Sequence, residues 1–102
     1  MFTSMDTPMT DSADFILERI DKVLELRDVG RAKHYKDIDS GLWTRAVKVG
    51  RSSYWPLREN LLLQRARIAG CSDEQIKQLV KQLHAERATF MPDIRAPQGA
   101  PA

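Results

Sequence analysis

The sequence predicts a mainly α-helical domain with a small β-hairpin, and three observations predict it. Apolar residues recur at helical spacing near the start of the chain and again after Pro56. Between these stretches the period changes to two, where Val47 and Val49 flank Lys48 just before Gly50. Ser72-Asp73-Glu74-Gln75 then forms a helix start: a hydroxyl to accept from the backbone, Gln75 to reach back, and two acids at the positive helix end. A chain of 102 residues suits one domain with a single modest core.

The elements follow in order. Residues 1–11 are polar, hold Pro8 and lack periodicity, so they are expected to form a flexible arm ahead of a domain over 12–90. From Phe15 to Leu26, Ile16, Ile20, Val23 and Leu24 keep helical spacing. The stretch is either one helix capped by Ser12, or a short strand over Phe15–Leu17 followed by a helix from near Asp21. Gly30 supplies a helix stop or a tight turn into a second helix, Arg31–Asp39, which Gly41 closes with a left-handed cap. Only Ala32, Tyr35 and Ile38 of that helix can face a core, so tertiary contacts must hold it. The hairpin runs from Ala46 to Trp55 through a Gly50-Arg51-Ser52-Ser53 turn, with the valines expected inward and Lys48 and Arg51 outward. Pro56 suits the first turn of the next helix, whose apolar side is Leu57, Leu61, Leu62, Ala66, Ile68 and Ala69, and Gly70 ends it. The last helix, over 72–88, carries Ile76, Leu79, Val80 and Leu83 in one stripe. The tail over 91–102, with Pro92, Pro97, Gly99 and Pro101, is expected to be disordered.

Composition narrows the function classes. No apolar run approaches the roughly 18–20 residues of a membrane span, and the amino terminus lacks a basic start followed by an apolar stretch, so a cytoplasmic location is expected. Cys71 is the single cysteine, which excludes an internal disulfide and reads as a small buried or half-buried thiol. His34 and His84 are the two histidines and fall in different helices, so neither a metal site nor a cofactor is expected. No Gly-rich phosphate loop and no Ser/His/Asp arrangement points to an enzyme. The net charge of +2 hides an asymmetry. Arg27, Arg31, Lys33, Lys36, Arg45, Lys48 and Arg51 crowd a stretch whose acids are Asp28, Asp37 and Asp39, whereas the chain before Arg27 is acidic. A basic middle on a nearly neutral chain suits a localised anionic partner, although charge alone is equally a solvated face.

The ordered set Arg19-Ile20-Asp21-Lys22-Val23-Leu24-Glu25-Leu26, Arg31, Tyr35, Ile38, Gly41, Arg45 through Arg51, Trp55, Arg58 and Glu59 resembles the AlpA family of phage and mobile-element regulators. These are small winged helix-turn-helix proteins of the MerR-like type, and several act as excisionases. The resemblance covers about Arg19 to Arg65. It departs from the family where Asp28-Val29-Gly30 replaces the usual Gly-Leu-Ser, where His34 and Asp37 replace apolar residues, and where Thr44 and Ala46 replace two prolines. The helix from Ser72 lies beyond it.

The resemblance implies that Arg31–Asp39 is a recognition helix in the major groove of double-stranded DNA and that the hairpin is a wing. Arg31 would then read a guanine edge bidentately, Ala32 would permit close approach, and Lys33 and Lys36 would meet bases or phosphates. Arg27 at the turn, and Lys48, Arg51, Ser52 and Ser53 in the wing, would meet the backbone or the minor groove. Tyr35 could pack under the helix with its hydroxyl on a phosphate, or lie in the core. His34 is expected to be a partly buried structural residue or a surface contact, and Trp43 and Trp55 to be core. The implied partners are attachment-site or promoter repeats, filled by self-association on DNA, and an integrase. A competing expectation is a helical protein-interaction module, which an exposed Ile76/Leu79/Leu83 stripe would support.

Overall fold

The computed structural model describes residues 15–90. The arm expected over 1–11, the expected Ser12 cap and the tail over 91–102 lie outside the described residues. Within them, four helices and a three-stranded antiparallel sheet follow the order β1 (Leu17–Arg19), α1 (Ile20–Arg27), α2 (Arg31–Asp39), β2 (Val47–Val49), β3 (Ser52–Pro56), α3 (Leu57–Ile68) and α4 (Asp73–Thr89). The amino-terminal ambiguity resolves into a strand and then a helix, each one or two residues from its expected place. The strand exists because β3 offers it an edge: β1 adds to the hairpin, with Glu18 opposite Trp55 and Arg19 opposite Tyr54. The sheet order is therefore β1-β3-β2.

The chain leaves α1 at Asp28, which adopts the left-handed conformation at φ 57°, ψ 48°. Its amide donates to the Leu24 carbonyl at 2.7 Å, and the Val29 amide follows at 3.3 Å. Gly30 is the N-cap of α2 in extended backbone at φ −84°, so the stop expected at Gly30 sits two residues earlier, on an aspartate. Asp tolerates this region better than most side chains because it is short and polar. Gly41 does close α2 in the left-handed region, at φ 81°.

The core is Val23 from α1, Trp43, Trp55, Leu63, and the α4 stripe of Ile76, Val80 and Leu83. Burying each of these is worth about 1.5–3 kcal/mol, with the tryptophans at or above the upper end. Both indoles also bond: Trp55 Nε1 donates to the Thr44 carbonyl at 2.8 Å, and Trp43 Nε1 to Asn60 Oδ1 at 3.3 Å. Two expectations about apolar faces need correction. In α3 the buried positions are Glu59, Asn60 and Leu63, while Leu61 is 40% and Ile68 80% exposed. The inward face is set by partners elsewhere, since Arg87 of α4 grips Glu59 at 2.7 and 2.8 Å and Asn60 donates to Glu18 Oε1 of β1 at 3.1 Å. In the hairpin, Ser52 and Ser53 belong to β3, so the turn is only Gly50-Arg51. The register places Lys48 and Ser53 on the Trp55 face and both valines on the other, leaving Val49 exposed.

The start of α4 matches its expectation, with the Gln75 amide donating to Ser72 Oγ and the Ser72 amide to Gln75 Oε1. Asp28→Gly should therefore raise stability by up to about 1 kcal/mol, because glycine occupies the left-handed region freely. Ser72→Ala should lower it by about 1 kcal/mol through loss of the cap. Urea denaturation followed by circular dichroism measures both, and a destabilised Asp28→Gly variant would show that the Asp28 side chain contributes something beyond its backbone angle.

Candidate nucleic-acid interface

The polar helix α2 is held from below by a buried cluster of charged and aromatic side chains. Arg27, the last residue of α1, pairs through Nη2 with Asp37 Oδ2 and approaches His34 Nδ1 through Nη1 at 2.8 Å. Its guanidinium carbon lies 4.0 Å from the centre of the Trp43 ring. The side chains of Arg27 and Asp37 are 7% and 4% exposed, and His34 is wholly buried. His34 also meets Trp55 edge to face, with ring centres 4.8 Å apart. Lys33, one turn before Asp37, reaches its second oxygen at 3.1 Å from a solvent-exposed stem.

Titration in this cluster follows from burial. Desolvation first, and then the neighbouring Arg27 charge, lower His34 from 6.5 to about 4, against the opposing pull of Asp37. Arg27 therefore donates to Nδ1 of a neutral ring. Burial pushes the Asp37 carboxyl up, but hydrogen bonds and charge from Arg27 and Lys33 outweigh it, and the net shift is downward.

With His34, Asp37 and Ile38 turned inward, α2 presents Arg31, Ala32, Lys33, Tyr35 and Lys36 to solvent. No acid stands in its first turn. Tyr35 is 40% exposed, so it belongs to the surface rather than the core, with one side of its ring against Trp55 at 6.2 Å between centres. Because Trp55 faces α2, the Trp55 face of the hairpin is the α2 side. Lys48 and Ser53 stand on that side, joined by a 2.8 Å bond from Lys48 Nζ to Ser53 Oγ. Arg51 lies exposed at the hairpin tip.

Two of the expected contacts are not brought together with the rest. Arg27 cannot meet a phosphate, because its guanidinium is buried against Asp37, His34 and Trp43. Ser52 points to the opposite face, where its hydroxyl accepts from Arg19 Nη2 at 3.1 Å. That face also places Arg19 over the Tyr54 ring, 5.7 Å from its centre. What the sequence reasoning missed is the Arg27–His34–Asp37 cluster. The four-residue spacing of Lys33 and Asp37 was a usable signal of a helical ion pair, but nothing local to Arg27 marked its partner ten residues away.

Among the described residues no group of three or more His, Cys, Asp and Glu could hold a metal, and no helix is long and apolar enough to cross a membrane. Compared with models of known families, with curated proteins and with solved structures, the chain matches none.

Arg27→Met should cost about 3–5 kcal/mol, since it strands a buried carboxylate, and Arg27→Met with Asp37→Leu should recover most of that loss. A denaturation double-mutant cycle reads the coupling. The histidine gives a second expectation. Its folded pKa lies below its unfolded value, so the unfolded chain binds the extra proton between pH 6.5 and about 4, and stability falls as pH drops through that window. His84 is also lowered, first by burial and then by Arg45 and Arg87, so it acts in the same direction below its ordinary value. Thermal melts from pH 7 to 4.5 should show a declining Tm that flattens in His34→Gln. An unchanged slope in that variant would place the effect at other groups.

Proposed function

We propose that this chain is a sequence-specific DNA-binding protein of the winged helix-turn-helix type, with α2 in the major groove and the β2–β3 hairpin as its wing. One observation carries this reading: α2 exposes Arg31, Ala32, Lys33 and Lys36 while clamped from beneath, and Lys48 stands on the same side of the sheet. Any helix this short and polar needs tertiary contacts to form, but one that is merely solvated needs no closely fixed orientation. A helix that must hold its pose against an anionic surface does, because misplaced donors lose bidentate geometry at base edges. Arg31, in the first turn, is the base reader. Lys36, Lys48 and Arg51 neutralise phosphates, and Lys33 can do so by leaving Asp37 to Arg27.

The resemblance to the AlpA family supports a role in excision or transcription control of a mobile element, with an integrase as partner in the first case. One nine-residue helix offers few base contacts, so repeated sites filled by several copies, with bending of the DNA, are part of the proposal. The competing reading as an interaction module through α4 loses its support, because Ile76 and Leu83 are buried at 1% and 2% exposure.

Selection from a random duplex library, followed by anisotropy titration of the selected and a scrambled duplex over a salt series, tests the proposal. Arg31→Ala should cost about 1–3 kcal/mol on the selected duplex and much less on the scrambled one. Lys48→Ala should weaken both alike and reduce the salt slope by about 1. Absence of salt-sensitive binding at micromolar protein would overturn the DNA reading. Equal losses from Arg31→Ala on both duplexes would remove its base-reading role.

A further inference from the structure

The face of the sheet turned away from α2 carries a groove of about 500 Å³. Its walls are apolar: Phe15, Leu17, Val47 and Pro56 on the sheet side, Ala88 and Phe90 at the end of α4. Phe15, Leu17 and Phe90 are 68%, 42% and 51% exposed, and the two phenylalanine rings meet edge to face across the rim, 6.2 Å apart. These three side chains leave apolar surface open to water at one rim of the groove. The polar part of the lining is predominantly cationic, with Arg45, Arg58 and Arg87 against Glu59. These guanidiniums already have internal partners: Arg87 bonds Glu59, Arg58 bonds Glu86, and Arg45 contacts His84. They contribute a positive rim rather than unpaired hydrogen-bond donors.

We propose that the groove is the docking site for the chain's own first fourteen residues. Three observations select this occupant. The segment joins the domain at Phe15, itself a wall of the groove, so its apolar residues start within reach. Fourteen residues extend to about 50 Å at most, and a tether this short holds the segment at roughly millimolar effective concentration. Its chemistry complements the lining: Phe2, Met5 and Met9 provide apolar side chains, while Asp6, Asp11 and Asp14 are its only charged side chains and all are acidic. The segment leaving at Phe90 starts equally close but carries one acid and one base, Asp93 and Arg95, and so lacks that complementarity. Docking places three carboxylates on the face away from α2, where they do not compete with an anion for Arg31 and Lys36.

Paramagnetic broadening in the full chain tests this. In a Cys71→Ser background, Ser4→Cys carries a nitroxide label and amide peak intensities are read by two-dimensional NMR. Broadening concentrated at Leu17, Val47, Ala88 and Phe90, with Lys33 and Lys36 spared, is the expected result. The triple change Phe2→Ser, Met5→Ser, Met9→Ser should release it. Weak, uniform broadening, or broadening centred on Arg31–Lys36, would overturn the proposal. So would a groove broadened only by a label at Gln98→Cys. Mixing labelled chain with unlabelled isotope-enriched chain separates a second copy from the tethered segment: groove broadening that persists in the mixture at dilute protein would assign the site to another molecule.

Discussion

The pose of α2 depends on one side chain, Arg27. It ends α1, lies over the Trp43 ring, and pairs with Asp37 and His34 on the inward side of α2. α2 is too polar to be held by apolar burial alone. Trp43 passes the constraint onward, since its indole bonds Asn60 and Asn60 bonds Glu18. One continuous chain of contacts therefore links α1, α2, α3 and the edge strand.

This arrangement is costly in isolation. A buried ion pair gives up the hydration of both charges, and well-packed apolar residues would often serve stability as well or better. What the charged cluster adds is direction. Bidentate and stacked geometry around a guanidinium tolerates little rotation, whereas an aliphatic contact permits sliding. Lys33 adds a graded element, because it shares Asp37 with Arg27 while most of its length stays in water.

Much of the fold was legible in the sequence, for reasons particular to its segments. Ser72 and Gln75 announce α4 because a capping box is local. Val47-Lys48-Val49-Gly50 announces the hairpin because strand period and turn chemistry are local as well. The extent of Arg31–Asp39 was equally plain, bounded by two glycines. The failures share one cause, which is choice of face. Leu61 and Ile68 look like core residues until Arg87 and Glu18 turn Glu59 and Asn60 inward. Val49 looks inward until the register with β3 sends Lys48 to that side. Of the candidate interface, the exposed residues of α2 were readable from charge and spacing. Arg27 was not, since an arginine at a turn has the same local signature whether it meets solvent or a carboxylate ten residues on.

The inward and outward positions of α2 interleave, with Lys33 and Tyr35 touching both sides. His34, Asp37 and Ile38 answer to the domain, while Arg31, Ala32, Tyr35 and Lys36 answer to whatever lies outside it. Drift on the outer set can change what the helix prefers without loosening how it is held. The outer face of α2 can thus change widely while the architecture beneath it stays constant.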